Sequence, residues 1–243
     1  MKSETASKII KQTTNDYDQI AVDFNQTRQY LWPGMDKFKQ EVHNGDKILD
    51  LGCGNGKLRL LFKDLAVEYI GVDNSQQQLE FAKCRDDFKI VNQEFIKAEV
   101  FELPFASDSF NEIFCLAVLH HIPGRKRREQ TLKEIKRVLK PGGKLIMTNW
   151  NRWQKQYLHY IIKHGWEKIF KGSELDFKDI YLPWMDGTVK RYYHAFTLAE
   201  LRKLVIESGL KLEHNKLWFW SGQEAKSWQY LKAANIVTMA KKC

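Results

Sequence analysis

An α/β fold, a parallel sheet with helices on both faces, is what this sequence predicts, and three observations predict it. An apolar run, Lys47-Ile48-Leu49-Asp50-Leu51, stops at Gly52, Gly54 and Gly56 and passes into the helix-compatible stretch Lys57-Leu58-Arg59-Leu60-Leu61-Phe62. A second apolar run, Tyr69-Ile70-Gly71-Val72, ends in an acid, Asp73. Strand-like and helix-like stretches then alternate over about a hundred residues, the pattern of consecutive βα units.

Each element has its own warrant. The first is a buried strand, a tight turn and a helix start, because glycines permit positive φ and close approach of a ligand to the backbone. A glycine-rich turn alone is a weak signal, since dinucleotide enzymes place G-x-G-x-x-G after a strand. Here the spacing is G-x-G-x-G, with Asp50 two residues before the first glycine. After the second strand, Ser75 and Gln78 make a capping box, which leaves Asp73 free for another role. Phe95 to Phe105 reads as a third strand with an acidic exit at Glu99 and a turn at Pro104. Ser109 to Ala117 is a fourth, largely apolar strand, ending at Val118-Leu119-His120-His121-Ile122-Pro123. Leu132, Ile135, Val138 and Leu139 share one helix face. Lys140-Pro141-Gly142-Gly143 stops that helix, and Lys144 to Thr148 is the fifth strand.

This constellation resembles the class I S-adenosylmethionine-dependent methyltransferases. The resemblance implies a Rossmann-like fold, a central, mostly parallel seven-stranded sheet with helices on both faces, and S-adenosylmethionine as cofactor. It assigns the cofactor to Asp50, Gly52, Cys53, Gly54, Gly56, Asp73, Asn74, Glu99, Val100 and Ala117. The glycine turn must lie flat against the amino-acid and ribose portions. Asp73, at the end of the second strand, accepts from the ribose hydroxyls as the equivalent acid does in Rossmann sites. Glu99 faces the adenine amine and Val100 the ring. Cys53, inside the turn, reads as packing rather than as a nucleophile.

With 243 residues and 43% apolar content, the chain is one domain with a good core rather than a disordered one. It divides into an N-terminal helical cap (1–45), a cofactor half (46–150), an acceptor-site insertion or lid (151–200) and a C-terminal helix with strands (201–243). No run approaches the roughly 20 apolar residues of a membrane span, and the N-terminus lacks a signal-peptide core. The four cysteines stand without C-x-x-C spacing, so neither a metal site nor a redox pair is expected, and a cytoplasmic location is.

The formal charge of +9 points to a polyanionic partner. Arg125-Lys126-Arg127-Arg128 is the densest basic run; a solvated helix face is the bland alternative, and Glu129 and Glu134 dilute the run. Eight tryptophans are many for this length, and any near the cofactor can stack on a base.

Outside the cofactor half, Asp16 to Arg28 begins as a helix and leads to Tyr30-Leu31-Trp32-Pro33. Tyr181 to Phe196, containing Trp184 and Lys190-Arg191-Tyr192-Tyr193-His194, precedes a helix capped by Thr197 and Glu200. Together with Ala117-Val118-Leu119-His120-His121-Ile122, these stretches resemble the tRNA wobble-uridine carboxyl methyltransferases. Those enzymes esterify 5-carboxymethyluridine, and their module also occurs fused to an AlkB-like hydroxylase. The resemblance implies tRNA as partner, with no DNA and no membrane, and leaves open a small activator protein subunit. Glu99 departs from the family's usual Asp, Gln29 to Pro33 departs from its Trp-Pro arrangement, and residues 151–180 match nothing in it.

A carboxylate acceptor is ionised at neutral pH and needs no general base. A planar anion suits arginine, which singles out Arg28 and Arg191, with Tyr192, Tyr193 and His194 orienting the uridine. Trp32, Lys190 and the run from Arg125 to Arg128 are assigned to tRNA. His120 belongs to the acceptor site; with His194 it is the candidate base should the nucleophile be an amine, phenol or carbon. His121 reads equally as a helix-start residue. Two rival classes stand beside this reading, a small-molecule methyltransferase acting on a metabolite acid or quinone precursor, and a non-catalytic tRNA-binding scaffold. Retention of Asp50, Gly52, Gly54, Gly56 and Asp73 together speaks against the scaffold.

Overall fold

The chain alternates strand and helix from residue 47 onward, and the computed structural model, which describes residues 1–85, 90, 92–184 and 187–243, closes those units into one sheet. The strands are β1 (Lys47–Leu51), β2 (Glu68–Asp73), β3 (Asn92–Lys97), β4 (Phe110–Leu116), β5 (Leu139–Trp150), β6 (Asp179–Pro183), β7 (Lys190–His194), β8 (Lys211–Trp218) and β9 (Asn235–Lys241). Seven of them form a sheet in the order β3-β2-β1-β4-β5-β9-β8. The first five are parallel, and β9 runs antiparallel to both β5 and β8. Strand order reverses direction between β1 and β4, the crevice where open α/β sheets bind ligands.

The central strands are buried on both faces because they carry almost only apolar residues; Ile48, Leu49 and Leu51 are fully enclosed. Helices α3 (Gln76–Cys84), α4 (Arg125–Val138) and α6 (Leu198–Glu207) cover the faces. Leu132, Ile135 and Val138 of α4 join Leu201, Leu204 and Val205 of α6 in the main core. The caps read from sequence are present: Ser75 Oγ accepts from the Gln78 amide at 3.1 Å and Thr197 Oγ1 from the Glu200 amide at 3.3 Å.

Several boundaries differ from expectation. Lys57–Phe62 is a 3-10 turn rather than an α-helix. Strand β3 ends at Lys97, so Glu99 lies in the loop beyond it. Helix α4 starts at Arg125, seven residues before its apolar face begins, so the basic run is its first turn.

Outside the sheet, α1 (Ser3–Gln19) and α2 (Ala21–Thr27) lie across the crevice. Residues 151–200 contribute α5 (Leu158–Lys171) and a two-stranded hairpin of β6 and β7. Two small cores fix these parts. Trp150, Ile180, Leu182, Tyr193 and Ala195 bind hairpin to sheet, while Ile20, Trp184 and Val189 bind it to the N-terminal helices. Both arms thus enclose the carboxyl ends of β1, β2, β4 and β5. Among the described residues, no helix is long and apolar enough to cross a membrane.

Candidate active site

A cavity of about 310 Å³ opens at those strand ends, lined by the glycine turn, by Asp50, Asp73, Asn74, Glu99, Val100 and Ala117, and by the two arms. Gly52, Gly54 and Gly56 all have positive φ. A Cβ on Gly52 would collide with Val118, and one on Gly54 would project toward Phe24 and Gln78. Gly56 does not line the cavity. A Cβ there would press on Ala82 at 3.1 Å and Phe95 at 3.3 Å, so this glycine permits close turn-to-helix packing. Ala117 is a rare non-glycine residue at positive φ (60°), held there by Thr148, whose carbonyl and hydroxyl both accept its amide.

The cofactor end is acidic and preorganised. Asp73 Oδ2 accepts from the Gly54 amide and Oδ1 from the Ser75 amide, each at 2.9 Å, so the carboxylate is aimed with lone pairs to spare. Burial raises its pKa above the ordinary carboxylate value. Asp50 is more strongly affected: burial pushes it to about 7, although the Tyr69 hydroxyl donates to its Oδ2 at 2.5 Å. Both amide atoms of Gln78 are buried beside the cavity without hydrogen-bond partners. An acid pair, an orphaned amide and a turn that excludes side chains fit a ligand bearing an ammonium and vicinal hydroxyls, as S-adenosylmethionine does. Cys53 lines this end, and burial raises its thiol well above the usual range, which disfavours the thiolate.

The other end is aromatic and cationic. The Arg191 guanidinium lies 4.4 Å from the Trp184 ring centroid and 5.3 Å from that of Tyr193. Arg28 lies 5.4 Å from the same tryptophan. Two like charges thus share one ring face-on, and the Arg191 Nε is buried without a partner. Two stacked guanidiniums with an open donor make a site for an anion.

The histidines nearby are not poised as bases. The Trp150 amide donates to His120 Nδ1 at 3.2 Å, which occupies that ring's lone pair. The Tyr192 carbonyl accepts from His121 Nδ1 at 2.8 Å, so His121 Nε2 accepts from the Tyr17 hydroxyl at 2.9 Å. Each neutral imidazole therefore has its one acceptor nitrogen taken. Burial, reinforced by Arg191, holds both pKa values low, that of His121 at about 3.

Three assignments are corrected by the geometry. Tyr192 and His194 do not line the cavity, because strand alternation turns them away while Arg191 and Tyr193 face it. His194 bridges Asp179 (2.7 Å) and Glu200 (2.8 Å), tying the hairpin to α6. Arg128 is 2% exposed, donates to the Ile122 carbonyl and lies over Phe196, so it cannot reach a polyanion. Arg125 is engaged by Glu129 and Glu207. Lys126, half-buried Arg127 and Lys190 stay at the surface away from the cavity. Arg128→Ala is accordingly expected to cost about 2 kcal/mol of stability, and Lys126→Ala less than about 0.5, measured by denaturant unfolding.

Lys57, Tyr17, Gln78, Trp184 and Trp220 were not assigned to the site from sequence. Lys57 stacks over Trp32 at 4.7 Å, and burial together with Arg28 lowers its pKa to about 8. Its position directly after the glycine turn was the available signal.

Comparison with known proteins agrees with this geometry. A family profile described as "Methyltransferase domain" matches residues 49–147. A putative methyltransferase of Encephalitozoon cuniculi is 32% identical over 200 residues, covering 82% of this chain and 87% of the relative. The tRNA (carboxymethyluridine(34)-5-O)-methyltransferase of Schizosaccharomyces pombe is 31% identical over 213 residues, covering 82% of this chain and 88% of that protein. Among solved structures, a SAM-dependent methyltransferase from Methanosarcina mazei superposes with a TM-score of 0.70 at 23% identity, covering 87% of this chain and 98% of that one.

Proposed function

Because the chain belongs to the tRNA (carboxymethyluridine(34)-5-O)-methyltransferase family, a group of S-adenosylmethionine-dependent enzymes, we propose that it esterifies the carboxylate of a modified wobble uridine in tRNA. The single observation that carries this reading is the acceptor end of the cavity, where Arg28 and Arg191 share the Trp184 ring and no histidine offers a free lone pair. Such a site suits a nucleophile that arrives already ionised.

S-adenosylmethionine, when bound, supplies the methyl group and its own leaving group. What remains for the protein is alignment and partial desolvation of the acceptor. Arg191 and Arg28 hold the planar anion in the fork geometry that guanidinium favours. Tyr193, stacked flat on His120 with centroids 5.1 Å apart, forms a wall for the pyrimidine ring. Asp73 and the glycine turn hold the cofactor's ribose, and Glu99 with Val100 its adenine. The arms formed by α1, α2 and the hairpin exclude water.

Incubating tRNA with the protein and methyl-labelled cofactor is expected to give a labelled nucleoside that mild alkali hydrolyses with release of methanol. N-, C- or ether O-methyl products survive that treatment, and alkali-stable label would reject the carboxylate reading. Labelling of a small metabolite acid in preference to tRNA would promote the small-molecule alternative.

A further inference from the structure

The connection between β8 and β9 leaves the sheet at the edge where the cavity opens, since Trp218 and Asn235 pair there and Asn235 lines the cavity. This stretch places Trp220, Trp228 and Tyr230 in water, with Trp220 at 56% and Trp228 at 70% exposure. We infer that these rings, with Trp32 and Trp153, form a stacking rim for the single-stranded RNA nucleotides that flank the target. The inference rests on the tRNA reading and names the part of the RNA that the enzyme grips.

The rim is built rather than incidental. Trp220 meets Trp32 edge-on at 6.3 Å, and both line the cavity. The turn carrying Trp220 is held down because the backbones of Gly34 and Gly222 touch; a Cβ on either would strike the other, and Lys37 donates to the Gly222 carbonyl at 2.9 Å. On the far side, the Asn151 amide donates to the Tyr230 carbonyl at 2.8 Å, and Trp153 meets the Tyr230 ring edge-on at 6.2 Å. Gln154, the next residue, lines the cavity. Trp32 with Trp220 on one side, and Tyr230 with Trp153 on the other, therefore continue the cavity wall, and Trp228 stands two residues before Tyr230.

Their surroundings fit nucleic acid. Lys57 lies over Trp32, and Arg152 over Trp153 at 5.4 Å. Lys226 and Lys232 are exposed beside Trp228 and Tyr230, and residues 225–234 contain no Asp or Glu. Rings interleaved with cations accept bases by stacking and their phosphates by charge. A nucleotide drawn into the cavity keeps its two neighbours within one backbone step of the mouth, where the rings stand.

The probe is a synthetic anticodon stem-loop without modifications, with a duplex of equal length as control. Trp153→Ala combined with Trp228→Ala, neither residue lining the cavity, is expected to weaken loop binding about tenfold or more. The matching Phe pair should restore it, and the duplex affinity and the salt slope should stay as in wild type. Cofactor affinity reports that the variant is folded. Unchanged loop affinity, or an equal loss on the duplex, would overturn the rim, as would Phe variants as weak as Ala. Loss of a bound protein partner with no change in RNA binding would overturn it too. If the variant binds the loop normally while wild type forms the methyl ester, the rim fails and the proposed function stands. If the rim behaves as stated but no ester forms, the rim stands and the proposed function fails.

Discussion

Arg191→Ala is expected to lower kcat/KM for tRNA by about two to three orders of magnitude, because truncating one partner of a buried, hydrogen-bonded charge pair costs about 2–5 kcal/mol. The guanidinium is enclosed by Trp184 and Tyr193 and hydrogen-bonds Tyr17, while its buried Nε has no protein partner and is the donor open to an acceptor anion. Arg191→Lys keeps the charge but not the planar fork, and should still lose roughly tenfold. Arg28→Ala should cost less, since Arg28 also donates to the Thr27 carbonyl at the surface. The same geometry sets the pH profile. With cofactor saturating, the rate should be level above about pH 6, because an ordinary carboxylate is ionised there and the acceptor nitrogens of His120 and His121 are occupied. A rate that climbs tenfold per pH unit through neutrality would show that a proton must be removed, and would return His120 to the role of base. Full activity in Arg191→Ala would remove the anion site itself.

The parts of this molecule that were legible in sequence are those where local pattern and tertiary role coincide. The glycine turn, Asp50 and Asp73 belong to contiguous strand-turn units whose chemistry is written in a few adjacent residues, and the structure sets them around one cavity. The seven-stranded sheet follows from the same units together with the family resemblance. The acceptor side was legible only in residue type. Arg191 and Tyr193 were singled out, but so were Tyr192 and His194, and only pairing of β7 with β6 decides which alternate side chains face inward. The basic run was overread because charge says nothing about depth. The first turn of α4 packs against the loop after β4, so Arg128 is buried while Lys126 stays in water. Trp184 could not have been placed from spacing alone, since one of its partners, Arg191, follows it on the same hairpin while the other, Arg28, comes from the N-terminal part of the chain.

Asp50→Asn is expected to separate the cofactor's need from the fold's. Burial, aided by nearby Asp73 and opposed by the Tyr69 hydroxyl, Lys57 and Arg59, raises the Asp50 carboxyl from the ordinary carboxylate range to about 7. Between about pH 4 and pH 7 the folded, unliganded protein therefore binds more protons than the unfolded chain. Its stability from this group is full below about pH 4, falls as pH rises through that window and is level above it. Three pKa units correspond to about 4 kcal/mol as an upper bound. Asparagine carries no charge, yet its carbonyl can still accept from the Tyr69 hydroxyl. The unliganded variant should therefore be about 1–3 kcal/mol more stable than wild type at pH 8 and equal to it near pH 4, by thermal or denaturant unfolding. If Asp50 faces the cofactor's ammonium, the same change should weaken S-adenosylmethionine binding by about 1.5–3 kcal/mol, the scale of a lost charged hydrogen bond. Wild-type affinity should rise with pH up to about 7 and then level, as ionised Asp50 becomes available. Calorimetry that finds unchanged affinity in the variant would detach Asp50 from the cofactor. A variant less stable than wild type at pH 8 would show that the buried carboxylate is a structural asset to the empty protein, and that the cofactor is not what offsets its burial.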